Sequence, residues 1–236
     1  MKLPLSSRLL ACCGFVCPGE RVADIGCDHG YLGIHLLQTG KASSVIAADI
    51  NQMPLDSARK NALKYGVIDK MSFYLTDGVR GIPRDFDCLV CAGMGADTMI
   101  SILEAAPWLR DSRYRLILQC QSKLPALRQY LSEQGFRICE ETVLRDGRFL
   151  YTVMEVTWQS GYTLSPGEWY FPPALLENPS NLVPEYYQRV LFSLDRAVTN
   201  QKEKDQTMVL ALEQLRSLSK QEELMWLQED YNDNRQ

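Results

Sequence analysis

The residues best able to do chemistry cluster in Asp24-Ile25-Gly26-Cys27-Asp28-His29-Gly30-Tyr31-Leu32, where an apolar strand runs into a glycine-bearing turn and a helix opens. Glycine at 26 and 30 lets the backbone turn tightly and approach a ligand. The free N–H groups of the helix beginning near Tyr31 attract a carboxylate or phosphate. A dinucleotide-binding turn would carry G-x-G-x-x-G, with small residues beside the pyrophosphate. Here Asp28 stands between the glycines, and a carboxylate repels a pyrophosphate. An acid suits a cationic ligand instead, and S-adenosylmethionine carries a sulfonium and an ammonium group beside its adenosine. Taken alone, such a turn is also compatible with an ordinary strand-to-helix connection.

Other acids and glycines follow at the ends of later apolar runs. Asp49 closes the second run, about twenty residues after the glycine turn, where a carboxylate can accept both hydroxyls of a ribose. Asp77-Gly78 follows the third, the position at which methyltransferases use an acid to hold the adenine amino group. Ala92-Gly93-Met94-Gly95 follows the fourth, where small residues permit close approach of backbone to ligand. Each can merely cap a turn or helix. All fall at strand ends expected on one side of a sheet, which is where open α/β folds bind ligands.

The elements that must position them alternate between strand and helix from Arg21 to Val156, the pattern of a parallel sheet covered on both faces. Strands are expected at Arg21–Cys27, Ser44–Ile50, Met71–Asp77, Cys88–Gly93, Tyr114–Cys120, Phe136–Leu144 and Phe149–Val156. Helices are expected around Tyr31–Gln38, Pro54–Tyr65, Asp97–Ala106 and Lys123–Glu133. Asp146-Gly147 between the last two strands favours a tight hairpin. An antiparallel hairpin closing a mostly parallel, Rossmann-like sheet is a property of class I methyltransferases and not of ordinary dinucleotide-binding folds. Ser160–Asn181, with four prolines and Trp169-Tyr170-Phe171, reads as an irregular linker whose aromatics pack on something. Apolar residues from Val183 to Leu218 then recur at coiled-coil-like steps. The polar stretch Asn200–Asp205 is the expected point of reversal into a helical hairpin, and a single long dimerising helix is the alternative. The domains are therefore expected at 1–158 and, as linker plus C-terminal helices, 159–236.

Hydrophobic content of 46% and charged content of 23% fit a globular chain. No apolar run has the length of a membrane span and Met1–Leu10 lacks the core of a secretory signal, so a cytoplasmic protein without a membrane partner is expected. The eight cysteines fit reduced structural thiols. Cys88-x-x-Cys91 on a strand would point to opposite faces, the Cys12, Cys13, Cys17 cluster lacks a completing set, and no metal is expected. Net charge is −4, unevenly spread. Residues 1–160 hold 18 Lys/Arg against 17 Asp/Glu, and residues 161–236 hold 7 against 12, so a basic surface on the first part is not excluded.

The glycine turn, Ala48-Asp49-Ile50 followed by Pro54-Leu55, Thr76-Asp77-Gly78, Ala92-Gly93-Met94-Gly95 and Leu116-Ile117-Leu118-Gln119 together resemble the bacterial tRNA adenine-N1-methyltransferase family acting on position 22. The resemblance covers nearly the whole chain, including Ser7-Arg8-Leu9 and the C-terminal helices. The Asp28-His29 pair is its most specific element. Two departures stand out: Ala96 where the family usually has the last glycine of Gly-Met-Gly-Gly, and Gln119-Cys120-Gln121 where it usually has Gln-Pro-Asn.

The resemblance implies S-adenosylmethionine as cofactor, held by Asp24, Gly26, Asp28, Gly30, Asp49, Ile50, Asp77, Gly78 and Gly93. It implies tRNA as partner and Asp28, His29, Met94 and Gln121 at the reacting centre. Adenine N1 has a free lone pair, so attack on a sulfonium methyl needs no base, only positioning and electrostatics. Asp28 or the carbonyls around Gly93 and Met94 can accept from the exocyclic amine. His29 is equally compatible with a structural bond at a helix start, and His35 reads as structural. Candidate RNA contacts are Lys2, Arg8, Arg80, Arg84, Arg110, Arg113, Arg128, Arg145 and Arg148, some of them solvated surface. Because N1 lies on the Watson–Crick edge, the target base must be unpaired or flipped. A methyltransferase for another RNA position, a small molecule or a protein, and a non-catalytic RNA-binding module, are the competing readings. A monomer and a weak dimer are both open.

Overall fold

The computed structural model describes residues 3–177, 179–201, 203–221 and 224; Lys2 lies outside them. Its seven-stranded sheet contains β1 (Glu20–Ile25), β2 (Ala42–Asp49), β3 (Met71–Leu75), β4 (Cys88–Met94), β5 (Arg115–Cys120), β6 (Phe136–Asp146) and β7 (Phe149–Trp158). The order is β3-β2-β1-β4-β5-β7-β6, parallel except for β7, which runs antiparallel to β5 and β6. This is the sheet expected from the hairpin signal. Asp146 pairs with Phe149 across a two-residue loop whose first member, Gly147, has φ +60°, a conformation that glycine adopts without strain.

Two helical layers follow from the alternation of side chains along the strands. Val22, Val45, Cys88 and Val90 face α1 (Ser7–Phe15), α2 (Tyr31–Gln38) and α3 (Gln52–Lys64), while Ala23, Ile25, Leu89 and Cys91 face α4 (Ala96–Glu104) and α5 (Leu124–Glu133). Strands covered on both faces must be apolar throughout, as Leu116-Ile117-Leu118 is. Cys88 and Cys91 therefore lie in different cores, and burial raises both thiols above their ordinary range.

Three parts differ from the sequence expectation. A helix, α1, precedes Arg21, its first turn capped by Ser6 Oγ, which accepts from Leu9 N at 3.3 Å. The segment read as an irregular linker contains α6 (Pro166–Tyr170), opened by a Ser165/Glu168 capping box, and α7 (Ala174–Glu177). The final hairpin strands extend to Asp146 and Trp158. After the linker, α8 (Val183–Asn200) and α9 (Gln206–Leu218) form a helical hairpin that reverses at Gln201–Asp205, with Asp205 capping α9. One long helix is thereby excluded. Phe171, Leu175, Tyr187, Leu194, Ala211 and Leu215 build a third core that reaches the sheet through Val143. Among the described residues no helix is long and apolar enough to cross a membrane.

Candidate functional site

The parallel strands β1 and β4 lie side by side while their crossovers lead in opposite directions, and a crevice opens at their C-terminal ends. It is a cavity of about 330 Å³. Its floor is Asp24 and the turn Gly26–His29. One wall is Ala92-Gly93-Met94 with Gln119 and Gln121, and the other is Ser6, Arg8 and Leu9 at the start of α1. Asp28, His29, Met94 and Gln121, far apart in sequence, thus share one cavity.

Gly26 has φ +73°, a conformation that strains any other residue, and a Cβ there would fall 2.2 Å from Met94 Cε and displace that methyl from its place in the cavity wall. Asp28 is also left-handed, at φ +49°, a conformation rare for a residue with a side chain. Its N–H donates to Asp49 Oδ2 at 3.1 Å, and Asn51 N donates to Asp49 Oδ1 at 2.9 Å. Asp49 is consequently buried and fixed in orientation beside the turn while retaining lone pairs. The Asp28 carboxylate is exposed, 3.6 Å from His29 Nε2.

Asp24 is the electrostatic centre. It is fully buried, its pKa is raised to about 7 by desolvation and then by the nearby charge of Asp49, and a bond from the Gly33 N–H only partly offsets the rise. Its Oδ2 is buried without a hydrogen-bond partner among the described residues. A buried acceptor at a cavity wall that no protein donor satisfies favours a ligand bearing N–H groups and positive charge. The donor set therefore fits the ammonium end of S-adenosylmethionine and does not fit a pyrophosphate.

The loop after β5 lacks the proline of the related motif, yet hydrogen bonds hold it. Gln121 N donates to Met94 O at 2.8 Å, Ala96 N to Ser122 O at 3.1 Å and Cys120 Sγ to Ser122 O at 3.0 Å. The Gln121 side chain lies over Gly93, where a Cβ would meet Nε2 at 3.4 Å. Gln119, which the sequence does not mark as a site residue, is buried and accepts from Gly93 N at 3.1 Å, fixing the turn that bears Met94. Its signal is a polar side chain inside an otherwise apolar strand. The α1 wall carries a weaker signal, a Ser cap before a short apolar helix.

Asp77 and Gly78 lie beyond β3 on the same edge of the sheet but outside this cavity, Asp77 paired with Arg80 at 3.3 Å. Thr76 N donates to Asp49 O at 2.9 Å, which ties that loop to Asp49. Ile50 is 64% exposed beside Asp49. Gly30 does not line the cavity; it opens α2 at φ +73°, and a Cβ there would meet Ala58 Cβ at 2.9 Å.

The arginines divide. Arg8 lines the cavity, bonds Asp146 at 2.8 Å and lies over Tyr151, while Arg145 pairs with Glu185 and Arg148 lies over Phe149, all at the ligand edge. Arg84, Arg110 and Arg113 sit at the opposite edge, against Trp108, Gln134 and Tyr114. The assignment of Arg128 to RNA is corrected by its burial. It is 0% exposed, donates to Glu141 at 2.5 Å and to the carbonyls of Trp169 and Tyr170 at 3.0 and 2.8 Å, and fastens α5 to β6 and α6.

A mostly parallel seven-stranded sheet with a β7-β6 closing hairpin and an acid-lined glycine turn at its switch point defines a class I methyltransferase architecture. The chain belongs to the methyltransferase-domain family, whose model matches residues 5–154. It is 32% identical over 154 residues to the tRNA (adenine(22)-N(1))-methyltransferase of Bacillus subtilis, covering 65% of each chain, and so spans less than two thirds of that relative's length. Among solved structures, the B. subtilis m1A22 tRNA methyltransferase TrmK superposes with a TM-score of 0.76 at 25% identity, covering 96% of this chain and 98% of that one. Streptococcus pneumoniae Sp1610 in complex with S-adenosyl-L-methionine gives 0.78 at 28% identity, covering 90% and 98%.

Proposed function

We propose that the protein transfers a methyl group from S-adenosylmethionine to N1 of an adenine in the D-arm region of tRNA, at position 22. The observation that carries this reading is the convergence of Asp24, Asp28, Met94 and Gln121 on one cavity beside Asp49, an anionic pocket with an unsatisfied buried acceptor. The relatives named for that reaction and the one solved with the cofactor support it.

The cofactor supplies an electrophilic methyl on sulfur. Asp24 and the Gly26 turn would hold its amino-acid end, Asp49 and Ile50 its ribose side, and Asp77-Gly78 its adenine. Gln121 would present its amide to the target adenine. The Gly93 and Met94 carbonyls or Asp28 would accept from the exocyclic amine as positive charge develops on the base, an interaction strengthened in a water-poor site. His29 would orient the base or the Asp28 carboxylate. Since N1 already has its lone pair, none of these groups needs to remove a proton before attack. Arg8, Arg80 and Arg145, on the ligand edge, would take phosphates. Residues 1–158 would form the catalytic domain and 159–236 the helical appendage.

Nucleoside mass spectrometry of tRNA incubated with the protein and labelled cofactor tests the reading. N1-methyladenosine at position 22 is the expected product. Methylation at another atom, or none across several tRNAs under conditions where the cofactor binds, would leave the fold with a different substrate.

A further inference from the structure

The β6–β7 hairpin tip and α8 carry a set of side chains that the cavity does not use. Arg8 in the cavity wall lies 4.9 Å from the Tyr151 ring centre, Tyr151 is 6.3 Å from Phe149, and Arg148 lies 4.9 Å over Phe149. Arg189 Nη1 then reaches the Arg148 carbonyl at 3.5 Å, joining the tip to α8. Arg189, Phe192 and Arg196 stand three and four residues apart, on one helix face, and Arg196 lies 5.7 Å over Phe192. The result is a strip of interspersed guanidinium groups and rings from the cavity mouth out along α8.

Phe149 and Phe192 are 49% and 64% exposed, and Arg145, Arg148, Arg189 and Arg196 are all exposed. Nearby carboxylates are mostly engaged. Asp146 is held by Arg8 and Asp195 by Arg216, leaving Glu185, shared by Arg145 and Arg189, against four guanidinium groups. This positive face lies partly on the C-terminal part of the chain with excess acid, residues 161–236, so the average charge of that part conceals it. Exposed rings between cations match a polymer of stacked bases and phosphates, since rings take bases and guanidinium groups take phosphates.

Resting on the proposed tRNA reading, we propose that the strip Arg148-Phe149 with Arg189-Phe192-Arg196 is a tRNA-docking surface. It would grip the RNA beyond the target nucleotide and deliver that base to the cavity past Arg8. Binding here occurs away from the reacting atoms, so its loss weakens substrate binding without slowing the chemical step.

The test is steady-state methylation of a full-length tRNA transcript by Arg148→Glu combined with Arg196→Glu. Each of these arginines lies over a phenylalanine ring, and among the described residues neither forms an ion pair, so the fold should survive; circular dichroism checks that it has. KM for tRNA should rise at least tenfold with kcat and S-adenosylmethionine affinity unchanged. The slope of log KM against log salt should flatten by about two, roughly one for each phosphate no longer neutralised. Phe192→Ala should raise KM several-fold without altering that slope. Lys64→Glu with Lys70→Glu, an equal charge change near the opposite edge, should leave KM within about twofold. Unchanged KM in the Arg148/Arg196 variant, with a wild type that methylates tRNA, overturns the strip alone. Unchanged KM together with dissociation of a dimer in light scattering assigns the face to self-association instead. A wild type that neither binds nor methylates tRNA overturns the proposed function, and the strip with it.

Discussion

Asp24 and Arg128 are both ionisable groups removed from water, and they are held in opposite ways. Arg128 has a carboxylate, two carbonyls and the Tyr186 hydroxyl around its guanidinium, and although burial pulls its pKa down, Glu141 and Tyr186 raise it further. Asp24 has neighbouring acids, one N–H bond from Gly33 and one oxygen with no partner among the described residues. Arg128 Nε and Glu141 Oε2 also lack a partner among the described residues, so the difference is one of charge and place. A buried charge neutralised by an opposite charge away from any opening serves as a fastener, whereas a buried acid among acids beside a cavity favours a cation that binds. The seam of α5, β6 and α6 is therefore structural, and the proposed cofactor site lies at the switch point between β1 and β4.

The largest effect that can break this contrast is at the seam. Arg128→Met should destabilise the protein by about 3–5 kcal/mol, because it strands Glu141 in the interior. Denaturant melts should show Arg128→Met with Glu141→Leu recovering most of that loss. Asp24→Asn should do the reverse: it removes a poorly solvated carboxylate, so the melting temperature of the ligand-free protein should hold or rise at pH 8. S-adenosylmethionine affinity should meanwhile fall about 10- to 100-fold, as expected when a charged hydrogen bond worth about 1.5–3 kcal/mol is lost.

A subtler discrimination comes from pH. Burial and the charge of Asp49 push the Asp24 carboxyl up to about 7, and a cationic ligand would bind its ionised form. Affinity should rise about tenfold per pH unit below 7 and level off above it, and Asp24→Asn should flatten the profile. The smallest change is expected at Gln121, where Gln121→Ala should slow transfer while leaving cofactor affinity nearly unchanged, since its proposed contact is to the reacting base. Cys120→Pro with Gln121→Asn should preserve or raise activity in the same assay.

Much of this is legible in the sequence because the decisive signals are local. The apolar runs of β1, β4 and β5, the acids at their ends and the Asp146-Gly147 turn state the sheet and its ligand edge within short windows. Arg128 reads wrongly as an RNA contact because its partners are remote: Glu141 is on another element, and Trp169 and Tyr170 lie in a segment that reads as irregular. A clue is present, since Arg128 stands four residues after Leu124 and three before Leu131, inside the apolar stripe of α5. The wall supplied by α1 and the grip of Gln119 on Gly93 exist only once distant strands are adjacent, so neither has a strong local signature.

The most direct test of the central claim is calorimetric titration of the ligand-free protein with S-adenosylmethionine and with NAD at pH 6 and pH 8. Saturable S-adenosylmethionine binding, about tenfold weaker at pH 6 than at pH 8, with no binding of NAD, is the expected result. Binding of NAD with none of S-adenosylmethionine, or S-adenosylmethionine affinity independent of pH and undiminished by Asp24→Asn, would contradict the assignment of the Asp24 cavity to a cationic methyl donor.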